Sequence, residues 1–346
     1  LVYCYKNNGN QDAQQGKSFS GEINVRLILE KTAPDVTGEK ATDAVTMLAN
    51  YDTTNLATDD YGNTRYIGSN PNNYVSFDGD IWRIIGTMKD IYDDTGNKSD
   101  RVKLIRDDPI GSYVWDTSRL SINDGKGVNE WSQADLMKLL NPGYESETIG
   151  GSLYWNSGEG YCYRGQDTDS TSCNFTSTGI KDKLKTLISD AVWNTGSSAT
   201  CNQIASEFYI EERGARNGKI CSKGNYCNDT VARTTTWTGK VGLMYPSDYG
   251  YATSGGSTTD RATCLNTILY NWSSSDVSDC KDNDWLFDGN NQWTLSPSAL
   301  SDTAYNMLYV NGNGRVGSYD SYCNRRMVFP VVYLKPNVKI SSGTGS

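Results

Sequence analysis

The stretch Trp285–Leu334, WLFDGNNQWTLSPSALSDTAYNMLYVNGNGRVGSYDSYCNRRMVFPVVYL, decides how the rest of the chain is read. Within it, apolar and polar residues alternate at period two in Asn306–Val310 and Arg315–Tyr319, and Gly312, Asn313 and Gly314 supply the positive-φ positions between them. This predicts a β-hairpin. The run Met327–Leu334 is apolar almost throughout and predicts a buried strand, with Pro330 at a bulge or an edge because it has no N–H to donate. The stretch therefore reads as two short strands, a hairpin and a closing strand.

The positions around these strands have an unusual chemistry. Trp293, Tyr305, Tyr309, Tyr319 and Tyr322 stand among Ser298, Asn306, Asn311, Asn313, Arg315, Ser318, Asp320 and Asn324. Rigid aromatic area beside short, adaptable hydrogen-bonding groups is the composition of antibody paratopes. A polar, loop-rich β-surface would also contain Tyr and Asn. The recognition reading makes the aromatic residues anchors and the Asn, Ser, Asp and Arg315 side chains hydrogen-bonding partners of a ligand.

The segment WTLSP, the hairpin and the closing FPVVYLK resemble the C-terminal part of C-type-lectin-like bacterial surface and phage proteins, including variable proteins diversified by retroelements. That resemblance implies a fixed scaffold presenting rewritten positions, here roughly Ser298–Asn324. Members carry an Arg-Gly-Val-Arg-Pro-like run before the last strand, where this chain has Arg325-Arg326-Met327-Val328-Phe329-Pro330. The same fold resembles formylglycine-generating enzymes, but the Arg-Gly-Gly-Ser-Trp-like run is missing, which argues against an oxidase. The implied architecture is α+β: small twisted antiparallel sheets, two to three helices and long disulfide-linked loops, over residues 45–340.

Composition narrows the partners. The chain of 346 residues carries a net charge of -9 and no histidine. Binding a phosphate backbone needs clustered cations, so nucleic acid is not an expected partner. Without imidazole, this chain alone builds no Ser-His-Asp or Cys-His nucleophile and no His-ligated zinc site. No apolar run approaches the ~20 residues of a membrane-spanning helix, and the start at Leu1 lacks the basic and apolar regions of a signal peptide.

Nine cysteines occur. Cys162 with Cys173, Cys264 with Cys280, and the group Cys201, Cys221 and Cys227 lie in Gly/Ser/Asn/Asp-rich loops and read as disulfides, which place the chain in an oxidising, extracellular setting. Cys4 and Cys323 are the least obviously matched. The acidic loop Asp90–Asp100 lacks EF-hand spacing and reads as a solvated turn. A second acidic group, Asp276, Asp279, Asp282 and Asp284, is a weak candidate for calcium, because lectin-like domains bind that ion near such loops.

Along the chain, residues 1–31 contain strand-like Leu1–Tyr5 and Glu22–Glu30, the latter alternating Ile23, Val25, Leu27 and Leu29. The phrase QDAQQGKSFSGEINVRLIL resembles the last strands of camelysin/TasA-like fibre-forming β-sandwich subunits. That resemblance implies a sandwich completed upstream or by another subunit; the strands alone equally fit an edge of the main domain. Residues 32–44 read as a linker and 341–346 as a flexible tail. Thr42–Tyr51 predicts a short helix, and Asp78-Gly79 predicts a tight hairpin joining Tyr74–Phe77 to Asp80–Met88, followed by a third strand at Arg101–Arg106. Helices are expected at Gln133–Leu140, capped by Ser132, at Ile180–Trp193, and around Ile204–Arg213. Val241–Tyr245 predicts a buried strand leading into a Tyr- and Gly-rich turn.

The sequence thus points to an extracellular, cell-surface, adhesin-like protein that is not an enzyme and binds a protein or glycan through its C-terminal face. The alternative is a structural subunit of a surface fibre or pilus, self-assembling through residues 1–31.

Overall fold

The hairpin at Asp78-Gly79 is the seed of the larger sheet. Both turn residues take positive φ, 53° and 85°, the conformation that lets a two-residue loop match the twist of its strands. The computed structural model describes residues 33–117, 128–165, 169–198, 200–216, 219–220, 234–299, 305–322 and 324–343. The expected strands 1–31 lie outside them, as do Cys4, Cys221, Cys227 and Cys323. The described part is α+β, with mostly antiparallel sheets and short helices.

The first sheet has seven strands. In order these are Leu56–Thr58, Thr64–Tyr66, Asp80–Tyr92, Lys98–Arg106, Val331–Tyr333 and Val241–Gly242, with Tyr74–Phe77 also paired to Asp80–Tyr92. All of its pairings are antiparallel. Helix Ala41–Tyr51 covers one face, burying Ala41, Ala44 and Val45 at the helical spacing of one stripe. The second sheet has five strands in the order Val316–Asp320, Asn306–Val310, Gln292–Pro297, Arg326–Met327 and Ser112–Tyr113.

One apolar run belongs to both sheets. Arg326–Met327 pairs within the second and Val331–Tyr333 within the first, so the expected single closing strand is two, with Pro330 between them. Pro330 fits there because only its carbonyl is needed: it accepts from the Arg106 N–H at 2.9 Å. Val328 and Phe329 are buried at the crossing, which explains why the run has no polar face.

Several expected elements change extent. Helix Ala41–Tyr51 and helix Ala205–Glu212 stand where the sequence places them. Gln133–Leu140 is instead a 3-10 turn, Trp131–Gln133, followed by a helix at Asp135–Leu140; the Ser132 hydroxyl donates to Glu130 at 2.8 Å and caps nothing. The helix expected to reach Trp193 spans Asp182–Leu187. Ala191–Asn194 is a strand paired with Thr236–Gly239, because Ser189 N–H bonds the Tyr333 carbonyl at 2.8 Å and pulls the chain against the first sheet. The Tyr- and Gly-rich turn after Tyr245 is the helix Pro246–Tyr251, with the Asp248 carboxylate accepting from the Tyr245 N–H at 2.9 Å.

Residues 33–44 do not hang free as a linker. Val36 N–H donates to the Gly343 carbonyl at 3.3 Å and Gly38 N–H to the Ile340 carbonyl at 2.8 Å, while Val36 and Ala41 are buried. The first of these bonds holds Gly343 of the expected tail; residues 344–346 lie outside the described residues.

Two disulfides form as expected. Cys162–Cys173 ties the strands Glu159–Tyr163 and Ser170–Asn174, and Cys264–Cys280 ties helix Arg261–Leu265 to helix Ser278–Asp282. Cys201 corrects the expectation: it is a buried free thiol.

Candidate functional site

Register sorts the expected recognition residues. In the hairpin, Asn306 faces Asp320, Leu308 faces Ser318 and Val310 faces Val316 on one side; Met307 faces Tyr319 and Tyr309 faces Gly317 on the other. Directly opposed residues share a face. Tyr309 and Tyr319 are therefore on one side of the sheet, and Asn306, Ser318 and Asp320 on the other. They do not form one surface.

The Tyr side carries a stripe that continues across the sheet. Trp293 pairs with Tyr309, and Arg326 pairs with Tyr113. Met327 is opposite Gln292, so its neighbour Arg326 falls on the face of Trp293. The Arg326 guanidinium lies 3.4 Å from the Tyr309 ring centroid, 4.8 Å from Trp293 and 5.3 Å from Tyr319, all within the range of a cation–π contact. Arg326 and Trp293 are buried, Tyr113 and Tyr309 are half-buried, and Tyr319 is 46% exposed. Trp293 is fixed from behind, its Nε1 donating to the Tyr113 carbonyl at 2.9 Å.

Three expected ligand-binding positions serve the scaffold instead. Trp293 is sealed beneath Arg326. Ser298 is wholly buried, with its backbone bonded to Asn306 and its carbonyl accepting from the Asn129 Nδ2 at 3.2 Å. Asn311 is buried and shapes the hairpin turn, its Oδ1 accepting from the N–H groups of Asn313 at 2.9 Å and Arg315 at 3.1 Å.

The remaining positions scatter along the hairpin. Asn313 is exposed at its tip. Arg315 lies over Tyr270, 4.7 Å from the ring centroid, and donates to the Tyr270 hydroxyl at 3.1 Å. Tyr305 and Tyr322 meet edge to face at 6.3 Å at the open end, where Asn324 is half-buried. Ser318 and Arg315 flank the Cys201 thiol; burial pushes that thiol's pKa up, against their opposing pull.

The acidic residues do not converge on an ion. Asp279 accepts from the N–H groups of Thr258 at 2.7 Å and Thr259 at 2.9 Å, and Asp282 pairs with Lys281. Asp284 is buried, accepts from the Leu286 N–H at 2.9 Å, and is pushed well above the usual carboxylate range by burial. Asp276 accepts at 3.4 Å from its neighbour Ser275. Among the described residues no group of three His, Cys, Asp or Glu could hold a metal. In the Asp90–Asp100 loop, Asp93 accepts from Thr95 and Asn97 and pairs with Arg101 at 3.1 Å, while Asp100 pairs with Lys89 at 2.6 Å.

A second polar constellation has no counterpart in the sequence reading. Arg65 bridges Asp59 at 2.6 Å and Asp248 at 2.8 Å, and the other Asp248 oxygen takes the Lys103 ammonium. Lys103 lies 4.1 Å from the Tyr245 ring centroid, 5.4 Å from Tyr333 and 5.7 Å from Trp193. Glu212 accepts from the N–H and hydroxyl of Ser247 at 2.9 and 2.5 Å. Burial pushes Asp248 up, but Lys103 and Arg65 outweigh it and hold the carboxyl at about 2. Burial takes Lys103 down to about 8 against the pull of Asp248, and takes Glu212 up to about 7 against Arg213.

Groups poised near neutral pH are a mark of active sites. Here Glu212 and Asp248 are each 1% exposed and Lys103 is wholly buried, so the cluster faces the interior and not a substrate. Two cations balance two anions, and Glu212, with the Arg213 guanidinium 3.7 Å away, is pushed toward its neutral form by burial. Burial without that balance would be costly.

No protein-family model, no curated protein and no solved structure matches the chain. No helix among the described residues is long and apolar enough to cross a membrane.

Proposed function

We propose that the chain is an extracellular, surface-displayed, adhesin-like binding protein of C-type-lectin-like architecture, which engages a protein or glycan through the Tyr309–Tyr319 face of its second sheet. The observation that carries this reading is the Arg326-centred stripe: Tyr309 and Tyr319 are held against a guanidinium before any ligand arrives. Prefixed aromatic area reduces the ordering cost of association, which is what makes Tyr and Arg effective anchors. The two disulfides support an oxidising location.

The test is a glycan and host-protein binding screen of the whole chain beside Tyr319→Ala. Tyr319 is nearly half exposed, so its removal should move stability by no more than about 0.5 kcal/mol. As an anchor it should weaken binding by about tenfold or more. Equal binding by the variant would remove this face from the function.

A further inference from the structure

A cavity of about 450 Å³ opens between helix Ala41–Tyr51 and the first sheet, lined by none of the residues of the aromatic stripe. Its floor is aliphatic: Val45 and Leu48 come from the helix, and Ile84, Val102 and Leu104 from the two longest strands of the sheet. Residues 338–343 form one side and are laced to 36–41 by the backbone. Ala41 N–H donates to the Val338 carbonyl at 2.8 Å, Gly38 N–H to the Ile340 carbonyl at 2.8 Å, and Ile340 N–H to the Glu39 carbonyl at 2.9 Å. A wall bonded in this way keeps its shape, so the space belongs to the fold.

The lining selects a hydrocarbon body. Protein interiors pack like organic crystals and tolerate few spaces larger than a water molecule. An ordered water needs about two to four polar partners, which an aliphatic floor does not supply, whereas apolar cavities of only ~150 Å³ take up small hydrocarbons. This cavity is larger, within the range of about 300–1,000 Å³ that holds small-molecule ligands.

The rim selects an anionic head. Lys183 and Lys339 line the opening and are exposed, and no carboxylate lines it, although the chain as a whole carries a net charge of -9. Neither lysine has an ion pair among the described residues. Their neighbours are already engaged: Lys185 pairs with Asp182 at 2.9 Å, and Lys335 donates to the Thr186 carbonyl at 2.7 Å. A cationic amphiphile would meet two like charges here, and an uncharged one would leave both ammonium groups unused.

We propose that this cavity binds a single-chain carboxylate amphiphile of the fatty-acid class, its alkyl chain over Leu48, Ile84 and Leu104 and its carboxylate paired with Lys183 and Lys339. The site is separate from the Tyr309–Tyr319 face and does not depend on the reading given to that face.

The experiment is isothermal titration calorimetry of the full chain, disulfides intact, with dodecanoate below its micellar concentration. Binding should saturate at one per chain. Decanoate, two methylenes shorter, should bind about fifteenfold more weakly, the loss expected from about fourfold per buried methylene. Dodecanol should bind about fivefold more weakly than dodecanoate, as two exposed charge pairs allow. The double variant Lys183→Gln with Lys339→Gln should bring dodecanoate down to the affinity of dodecanol and leave dodecanol unchanged. Leu48→Trp, at a half-buried position on the floor, should weaken both ligands by occupying their space, and Tyr319→Ala should weaken neither. No saturable binding of dodecanoate, an affinity indifferent to chain length, equal binding of dodecanoate by the lysine variant, or loss of binding in Tyr319→Ala would overturn the proposal. The two lysines are exposed and unpaired, so their variant keeps the fold and the test holds even where Leu48→Trp does not fold.

Discussion

Asp248→Asn should destabilise the protein by about 3–5 kcal/mol, the cost of removing one partner from a buried ion pair. The substitution keeps the size of the side chain, and its oxygen can still accept from the Tyr245 N–H that it caps at 2.9 Å. What it removes is one negative charge from a solvent-free balance. Arg65 retains Asp59 at 2.6 Å. Lys103 retains aromatic faces, the nearest ring centroid 4.1 Å away, and the weaker pull of Glu212. It should respond by losing its proton more readily, so its folded pKa drops further below the unfolded value. A depressed lysine makes the unfolded state the stronger proton binder, and stability then rises with pH through that window. The variant should thus recover part of its loss as pH is raised from 7 toward 10. Adding Lys103→Met restores neutrality around the Arg65–Asp59 pair, and the double variant should be more stable than Asp248→Asn alone by about 2 kcal/mol. Urea unfolding followed by circular dichroism measures all three. A single-variant loss below about 1 kcal/mol, or a double variant whose loss equals the sum of the two single losses, would refute the charge-balance argument.

Glu212 makes the opposite pH prediction. Its folded pKa of about 7 lies above the ordinary value of 4.5, so the folded state binds the proton more tightly and stability falls as pH rises between those values, by roughly 3 kcal/mol. Glu212→Gln should flatten that slope in urea unfolding at pH 5 and pH 7.5; an unchanged slope would assign it to other groups. Removing the Cys264–Cys280 bridge by Cys264→Ser with Cys280→Ser opens a loop of sequence separation 16 and should cost about 3 kcal/mol. A thermal midpoint unchanged by that double substitution would show that the helices hold together without the bond.

The legible parts of the fold are those whose cause is local. Asp78-Gly79 could be read because the Asp-Gly pair favours the two-residue turn with positive φ at both positions, and both adopt it. Helix Ala41–Tyr51 and the two cystine loops were equally local. Ala191–Asn194 was not: its residues fit both a helical stripe and a strand alternation, and the choice is made by Thr236–Gly239, far along the chain.

The site shows the same division. Period two in the hairpin was correctly legible, yet it already separates Tyr309 from Ser318, and grouping by composition overlooked that parity. Arg326 could not be found, because the strands that bring Trp293, Tyr309 and Tyr319 around it are joined only in three dimensions. The Asp59–Arg65–Lys103–Asp248 network has no spacing to detect, since its members come from separate strands, a loop and a helix.

The run from Arg326 to Tyr333 has a consequence for biosynthesis. Its first half joins Gln292–Pro297 to Ser112–Tyr113, and its second half joins Lys98–Arg106 to Val241–Gly242. Until these residues leave the ribosome, both sheets lack an internal strand and neither core can close. Folding must therefore wait for translation to pass Tyr333, in contrast to chains whose early segments settle while later ones are still being made. A nascent chain delayed in this way keeps Cys162, Cys173, Cys264 and Cys280 within reach of an oxidant until the sheets close over them.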